Sequence, residues 1–476
     1  MTVHDPANII VLIMNVIIDL AYLLAAVAIS PVAIYKMLRY GRYRAGWANR
    51  FGHISRKRPD KKCIWIHAVS VGEVNASTTV VIELETRFSE YEIVISTTTD
   101  TGFARANALF GDRLCVFYFP LDFSSTMHRA FDEIQPSICL LMELEVWPNL
   151  VRIASQSGIP VVVVNGRLSE RSFARYKLIK SVTREIFRDI TLVLAQTDEY
   201  ADRFRRLGAG VEKVFVTGSL KYDTAQITDK VEGADTLAEQ LFGKIESRKS
   251  AFASSSAKDM EDRKATSDKS KVENLLWVAG ATGDGEEQII LDVYRRLIEQ
   301  KQFEDLQLAI VPRKPERFDE VAQLIKQYGF RILRYSEIKS GEKLRIENEE
   351  LRKNGVILGD TMGDLRKFYS LATVIFVGRS LVPMGGSDMM EAAALGKCTI
   401  FGPYAFNFKQ AVDDLLKAGG AILVKDKNSL FDTMAKCLSD VGYATRIAKT
   451  GQEIIRKNQG ATARIAAYIT KVLKAD

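Results

Sequence analysis

The 476-residue chain is poor in the side chains that hold metals or cross-link a fold, with four histidines and five cysteines. Cys63, Cys115, Cys139, Cys398 and Cys437 are odd in number, widely spaced and mostly set in apolar runs, with no C-x-x-C pair. That pattern excludes a disulfide framework and a zinc module, and it reads as reduced core thiols in a cytosolic compartment. His4, His53, His67 and His128 are equally scattered. Only His67 stands near a motif, and a lone histidine ending a buried strand reads as structural. No Asp-x-Asp motif stands at a strand end, so no metal is expected, and no repeat of solenoid spacing is present. The chain also lacks a general excess of one charge. Its 66 Lys and Arg against 59 Asp and Glu leave +7, but residues 36–62, with ten cations and the single acid Asp60, carry +9, so the remainder stands at −2. A basic surface throughout is excluded, and nucleic-acid binding with it.

Hydrophobic residues make up 47% and charged residues 26%, the balance of an ordinary globular protein. At roughly 150 residues per domain, the length suits two large α/β domains with additions. One long apolar run departs from that balance. From Ile9 to Ile29 only Asn15 and Asp19 are clearly polar, and a helix of this length covers roughly 32 Å, enough to cross a bilayer. Asp19 near its middle costs about 2.5–3.5 kcal/mol, against about 0.3–0.6 gained for each of thirteen Ile, Leu and Val residues. No Lys or Arg precedes the run, which predicts a retained anchor helix over residues 1–35 rather than a cleaved signal peptide. A helix lying along the interface is the alternative. Lys36, Arg39, Arg42, Arg44, Arg50, Arg56, Lys57, Arg58, Lys61 and Lys62 follow, a basic juxtamembrane segment over 36–62. By the positive-inside rule they place everything after Pro31 in the cytoplasm, facing an anionic leaflet.

Beyond this collar, short apolar runs alternate with amphipathic stretches: Cys63–His67, Glu92–Thr97, Cys115–Phe119, Ile138–Met142, Val161–Asn165, Thr191–Ala195 and Val214–Thr217. The pattern recurs as Leu275–Ala279, Leu306–Val311, Gly355–Leu358, Val374–Val377, Thr399–Phe401 and Ala421–Val424. It predicts an α/β protein with two doubly wound sheets, one domain over 63–223 and another over 273–476. Residues 224–272 between them are rich in Ser, Lys, Asp, Glu and Ala and read as a mobile linker or insertion. Two such domains facing across a cleft would hold a ligand at the carboxyl ends of their strands.

The post-strand loops carry the candidate chemistry. Ser70-x-x-Glu73 after Cys63–His67 is a capping box, and Glu73 complements the helix dipole there. Alternatively, Gly72 lets the backbone turn tightly and leaves Glu73 aimed at a substrate hydroxyl as general base. Glu143-Leu144-Glu145-Val146-Trp147-Pro148-Asn149 combines two carboxylates and an indole, a set suited to sugars or to a solvated turn. Arg167 and Arg171 could grip phosphate or carboxylate. In the second half, Arg313 and Lys314 end one strand and Gly359–Asp364 follows another. Phe376–Val377 gives way to Gly385-Gly386 and then a helix, the arrangement in which free N–H groups and a helix start meet a phosphate. Glu391, about one turn in, can accept ribose hydroxyls.

At these residues the sequence resembles the Kdo transferases of lipopolysaccharide synthesis, GT-B glycosyltransferases that use CMP-Kdo. The strings that carry the resemblance are Trp65–Glu73, Glu143-x-Glu145-x-Trp147-Pro148-Asn149, Arg167–Ser172, Gly218-x-Leu220-Lys221, Asp360–Gly363 and Phe401-Gly402-Pro403 with Phe406-Asn407-Phe408. The resemblance implies a GT-B fold of two Rossmann-like domains behind an N-terminal membrane-anchor helix. The family's general base falls on Glu73. Its CMP contacts fall on Pro312 and Arg313, on Met362, Gly363 and Asp364, and on Asp388, Met389, Met390 and Glu391, beside Gly385 and Gly386. Where the family has Arg-Gly-Gly-His-Asn-Pro-Leu-Glu this chain has Met384–Glu391, and where it has Ser-Thr-His-Glu-Gly-Glu this chain has Ala281–Glu286. One cation and two histidines are absent.

The implied reaction is inverting and metal-independent, with no cofactor: Kdo passes from CMP-Kdo to the lipid A precursor at the cytoplasmic face of the inner membrane. Gly385, Gly386 and Arg313 would hold the departing phosphate. A related GT-B enzyme with another nucleotide sugar, and a paralogue that binds without catalysis, are the alternatives.

Overall fold

Runs rich in Val, Ile and Leu, too short for helices and too apolar for surface strands, call for sheets covered on both faces. The computed structural model describes residues 6–40, 44–144, 146–242, 275–340 and 355–475; in the first helix, side chains are described from Ile18 on, apart from Ala33, Lys36 and Tyr40. It contains two seven-stranded sheets in which every pairing is parallel. The first comprises β1 (Lys62–His67), β2 (Tyr91–Thr97), β3 (Cys115–Tyr118), β4 (Pro136–Met142), β5 (Val161–Gly166), β6 (Leu192–Ala195) and β7 (Val214–Val216), in the order β3-β2-β1-β4-β5-β6-β7. The second comprises β8 (Leu276–Thr282), β9 (Gln307–Pro312), β10 (Arg331–Arg334), β11 (Gly355–Leu358), β12 (Val374–Val377), β13 (Cys398–Phe401) and β14 (Ile422–Leu423), in the order β10-β11-β9-β8-β12-β13-β14. Winding reverses between β1 and β4 and again between β8 and β12, so each sheet opens a crevice at the carboxyl ends of its central strands. β10 is the strand absent from the sequence pattern. It is a four-residue edge strand reading Arg-Ile-Leu-Arg, too short to show a period.

Two compact units result, Met1–Thr224 with Asn458–Asp476, and Ala225–Lys457. The expected second domain over 273–476 is therefore corrected, because the last helix, Ala461–Ala475, belongs to the first unit. Its stripe of Ala461, Ile465 and Ile469 is fully buried there. The Asp223 carboxylate accepts the Gly460 N–H at 2.7 Å, and Arg464 Nε donates to Thr217 O at 2.8 Å. Part of the expected linker is structured, since the helix Ala234–Phe242 buries Leu237 and Leu241. Residues 243–274 lie outside the described residues.

Helices α1 (Pro6–Tyr40), α2 (Trp47–Arg50), α3 (Val71–Arg87), α4 (Asp100–Phe110), α5 (Ser124–Ile134) and α6 (Pro148–Gln156) belong to the first unit. The expected bilayer-crossing anchor finds no support here: among the described residues no helix is long and apolar enough to cross a membrane. Asp19, expected in hydrocarbon, instead caps α5. Its carboxylate accepts the Ser124 N–H and the Asn149 side-chain amide, each at 2.9 Å, and the Ser124 hydroxyl. One turn on, the Tyr22 hydroxyl donates to Asp122 at 2.8 Å, and Asp122 accepts the Asn149 and Leu150 N–H groups that open α6. Another face of α1 shows Leu20, Leu23, Leu24 and Val27 exposed.

Part of the basic collar is built into the unit. Arg56 pairs with the buried carboxylate of Glu92 at 2.9 Å, and Arg50 is buried against the Tyr118 ring. Arg44 and Lys61 donate to the backbone carbonyls of Met37 and Ser89.

Candidate active site

The carboxyl end of β1 is rigid because its last side chain is core. His67 is fully buried, its ring centroid is 3.9 Å from that of Phe119, and its Nδ1 lies 2.9 Å from Ser96 Oγ. Burial pushes its pKa down to about 3, so the ring is neutral. The chain then leaves the sheet through Ala68-Val69-Ser70, which Thr99 at the start of α4 clamps by donating its hydroxyl to Val69 O at 2.9 Å. Gly102 stands where a Cβ would come within 2.8 Å of the same oxygen.

Glu73 folds back over this loop. Its carboxylate accepts the Val69 N–H and the Ser70 hydroxyl, both at 2.9 Å, and the residue is 8% exposed. The expected capping box is changed in one respect: Ser70 occupies the N-cap, but its oxygen takes no backbone N–H and donates to Glu73 instead. The expected tight turn at Gly72 is also corrected. Gly72 lies in the first turn of α3, and a Cβ there would meet only Ser70 Oγ, at 3.8 Å. What presents Glu73 is its place one turn into a helix at the sheet's switch point.

The loop after β4 differs from its sequence reading. Glu143 holds φ +56°, in the left-handed region, and its carboxylate meets no partner among the described residues. Trp147 is half-buried, its ring 5.1 Å from Phe119 and 6.2 Å from His67, so much of the indole serves the core. Glu145 lies outside the described residues. At the end of β5, Asn165 (φ +56°) accepts the Leu220 N–H at 3.0 Å, tying the Gly218–Lys221 string to the same edge.

In the second unit several amides of the Gly-rich loop after β12 are engaged within the chain. The Gly386 N–H donates to Arg379 O at 2.8 Å and the Ser387 N–H to Gly378 O at 3.0 Å. The helix Met389–Ala394 has only six residues, and Asp388 caps it by accepting the Met390 N–H at 2.9 Å. The Gly386, Ser387 and Met390 N–H groups are therefore not available to the expected phosphate cradle. Gly385 (φ +91°) and Gly386 (φ +80°) are required by the chain's own packing: Cβ atoms there would meet Asn407 Nδ2 at 2.2 Å and Ala405 Cα at 2.9 Å.

Of the remaining predicted contacts, Met389 and Met390 have buried side chains and belong to the core, while Met362 is exposed and Gly363 turns at φ +88°. Pro312 is buried at the end of β9 and Arg313 beyond it is exposed. Asp364 is nearly buried. Burial would raise its pKa, but hydrogen bonds from Lys339, Lys367 and Thr361 hold it down at about 2. Those partners engage both carboxylate oxygens. Glu391 is half-buried, its pKa raised by burial and then by Asp388, and lowered in part by Arg366 and Arg313. The sequence reading thus brings Glu391, Asp388 and Arg313 together and leaves Asp364 in an ion-pair network.

Glu286 was not singled out, yet it organises the loop. Fully buried, it accepts the N–H groups of Gly283 (3.0 Å), Ser380 (2.7 Å), Leu381 (2.8 Å) and Arg379. Four of the five non-glycine residues with positive φ among the described residues, Glu143, Asn165, Ala281 and Arg379, sit at the carboxyl ends of β4, β5, β8 and β12. Such strain concentrates where function requires it. No sequence signal marks it, because none of the four is glycine.

Residues 45–224 match the family described as 3-deoxy-D-manno-octulosonic-acid transferase (kdotransferase). The 3-deoxy-D-manno-octulosonic acid transferase of Haemophilus influenzae is 34% identical over 438 residues, 91% of this chain and 92% of its own length. The chain belongs to the Kdo transferase family. The Bordetella pertussis enzyme of the same name is 29% identical over 93% of this chain and 96% of its own. A glycosyltransferase from Rickettsia africae, 12% identical with a TM-score of 0.53 over 88% of this chain and 100% of its own, shares the fold of two parallel-sheet α/β units.

As a Kdo transferase family member the chain is a glycosyltransferase, and its departures from the family pattern meet in space. A side chain at Gly283 would strike Met384 Sδ at 2.6 Å and Arg379 Cγ at 3.0 Å. Ser387 donates its hydroxyl to Ala281 O at 3.1 Å. The two altered strings are in contact with one another.

Proposed function

We propose that the protein transfers Kdo from CMP-Kdo to a hydroxyl of the lipid A precursor in lipopolysaccharide synthesis, with inversion and without a metal. Glu73 is the general base, taking the acceptor proton as the bond from the sugar's anomeric carbon to the CMP phosphate breaks. The observation that carries this is the carboxylate of Glu73, held by Val69 N–H and Ser70 Oγ at the switch point of the first sheet. Fixed there, it needs no reorganisation to meet a hydroxyl. On the second unit, Glu391 with Asp388 suits ribose hydroxyls, and Arg313 the nucleotide phosphate. The exposed apolar face of α1 would lie along the inner membrane's cytoplasmic leaflet and keep the enzyme beside its lipid acceptor.

Glu73→Gln is expected to leave a folded protein whose CMP release in the presence of CMP-Kdo and lipid A precursor falls about 10²–10⁴-fold. Near-normal release would remove the base assignment. The altered strings Ala281–Glu286 and Met384–Glu391 favour one rival, a GT-B enzyme with a different donor. Stabilisation by UDP instead of CMP would select it.

A further inference from the structure

The Gly386, Ser387 and Met390 N–H groups are engaged within the chain and are not available to a donor oxyanion, which leaves a role for side chains. Arg379 is placed for this. It stands at the carboxyl end of β12, a central strand, half-exposed at φ +58°, where any side chain is strained and glycine is favoured. The strain is held from three sides. The Arg379 N–H goes to buried Glu286, its carbonyl accepts the Gly386 N–H at 2.8 Å, and its Nη2 donates to Met384 O at 3.2 Å. The guanidinium stem fills the space that Gly283 leaves open, its Cγ 3.0 Å from where a Cβ at 283 would stand. The other guanidinium N–H groups have no partner among the described residues.

We propose that Arg379 is an anion-binding residue of the donor site: from a strained position that glycine would fill more easily, it supplies the cation missing at Met384. It rests on the reading of this unit as the nucleotide-sugar site. Guanidinium offers paired donors that match either the donor's phosphate or the carboxylate of its sugar acid, and the same atoms serve both.

The test uses the full chain and three variants, Arg379→Gly, Arg379→Gln and Arg379→Lys. Arg379→Gly should melt at or above the wild-type temperature, because glycine adopts φ +58° freely. KM for CMP-Kdo should worsen at least 10-fold in the glycine and glutamine variants and less in the lysine variant, and calorimetry reports CMP affinity alongside. If CMP affinity is kept while KM for CMP-Kdo rises, the carboxylate is the anion held; if both worsen together, it is the phosphate. Wild-type values, within twofold, for both quantities in Arg379→Gly and Arg379→Gln would overturn the proposal. If wild type binds UDP and not CMP, the cytidylate reading fails, and the same comparison made with UDP still decides the role of Arg379. Binding of neither nucleotide by wild type overturns both.

Discussion

At the scale of single residues, two buried acids near the carboxyl ends of central strands gain their character from the hydrogen bonds they accept. Glu73 and Glu286 are both acids one turn or less into a helix, and the dipole favours both equally. They differ in what they hold. Glu73 folds onto one loop, whereas Glu286 gathers four amides from two loops and is sealed from water. His67 shows burial acting the other way. Its folded pKa of about 3 lies below the ordinary 6.5, so the unfolded chain takes up the proton first. The stability linked to His67 is present above pH 6.5 and lost as pH falls from 6.5 toward 3, by up to about 1.4 kcal/mol per pH unit. Chemical denaturation of wild type and His67→Gln between pH 7 and 4 checks this. The wild-type curve should be steeper, and parallel curves would refute the assignment.

At the scale of elements, α1 is joined to the first unit by polar caps at two helix starts. Asp19 caps α5 while Tyr22 and Asp122 together close α6, the helix that follows the Glu143–Trp147 loop. Burial raises the Asp122 pKa to about 7 despite its backbone hydrogen bonds. An N-cap contributes about 0.5–2 kcal/mol. Asp19→Ala is therefore expected to lower stability by about that amount. Amide exchange in residues 18–40 should accelerate while β1–β7 stay protected. Unchanged exchange in α1 would mean that the caps do not hold it.

At the scale of the whole molecule, the chain returns to its first unit to complete it. Deleting residues 458–476 removes Ile465 and Ile469 from a closed core, and each buried isoleucine lost costs about 2–5 kcal/mol. The expected result is early loss of exchange protection in β1–β7 with β8–β14 unaffected. Equal loss in both sheets would show that the last helix is not specific to the first.

The sequence by itself determined the strands and their class, because a buried parallel strand must be apolar along its whole length, as Val161–Val164 and Val374–Val377 are. It also pointed to Glu73 and Glu391 through strings that survive in order. It could not show which polar groups satisfy one another, since that depends on atoms far apart in the chain. Only the tertiary structure bonded Asp19 to Ser124 and Asn149, closed the Gly-rich loop's amides on Arg379 and Gly378, and brought Gly283 against Met384. Hydrophobic pattern is local and periodic, whereas hydrogen-bond partnership is decided by the fold that pattern builds.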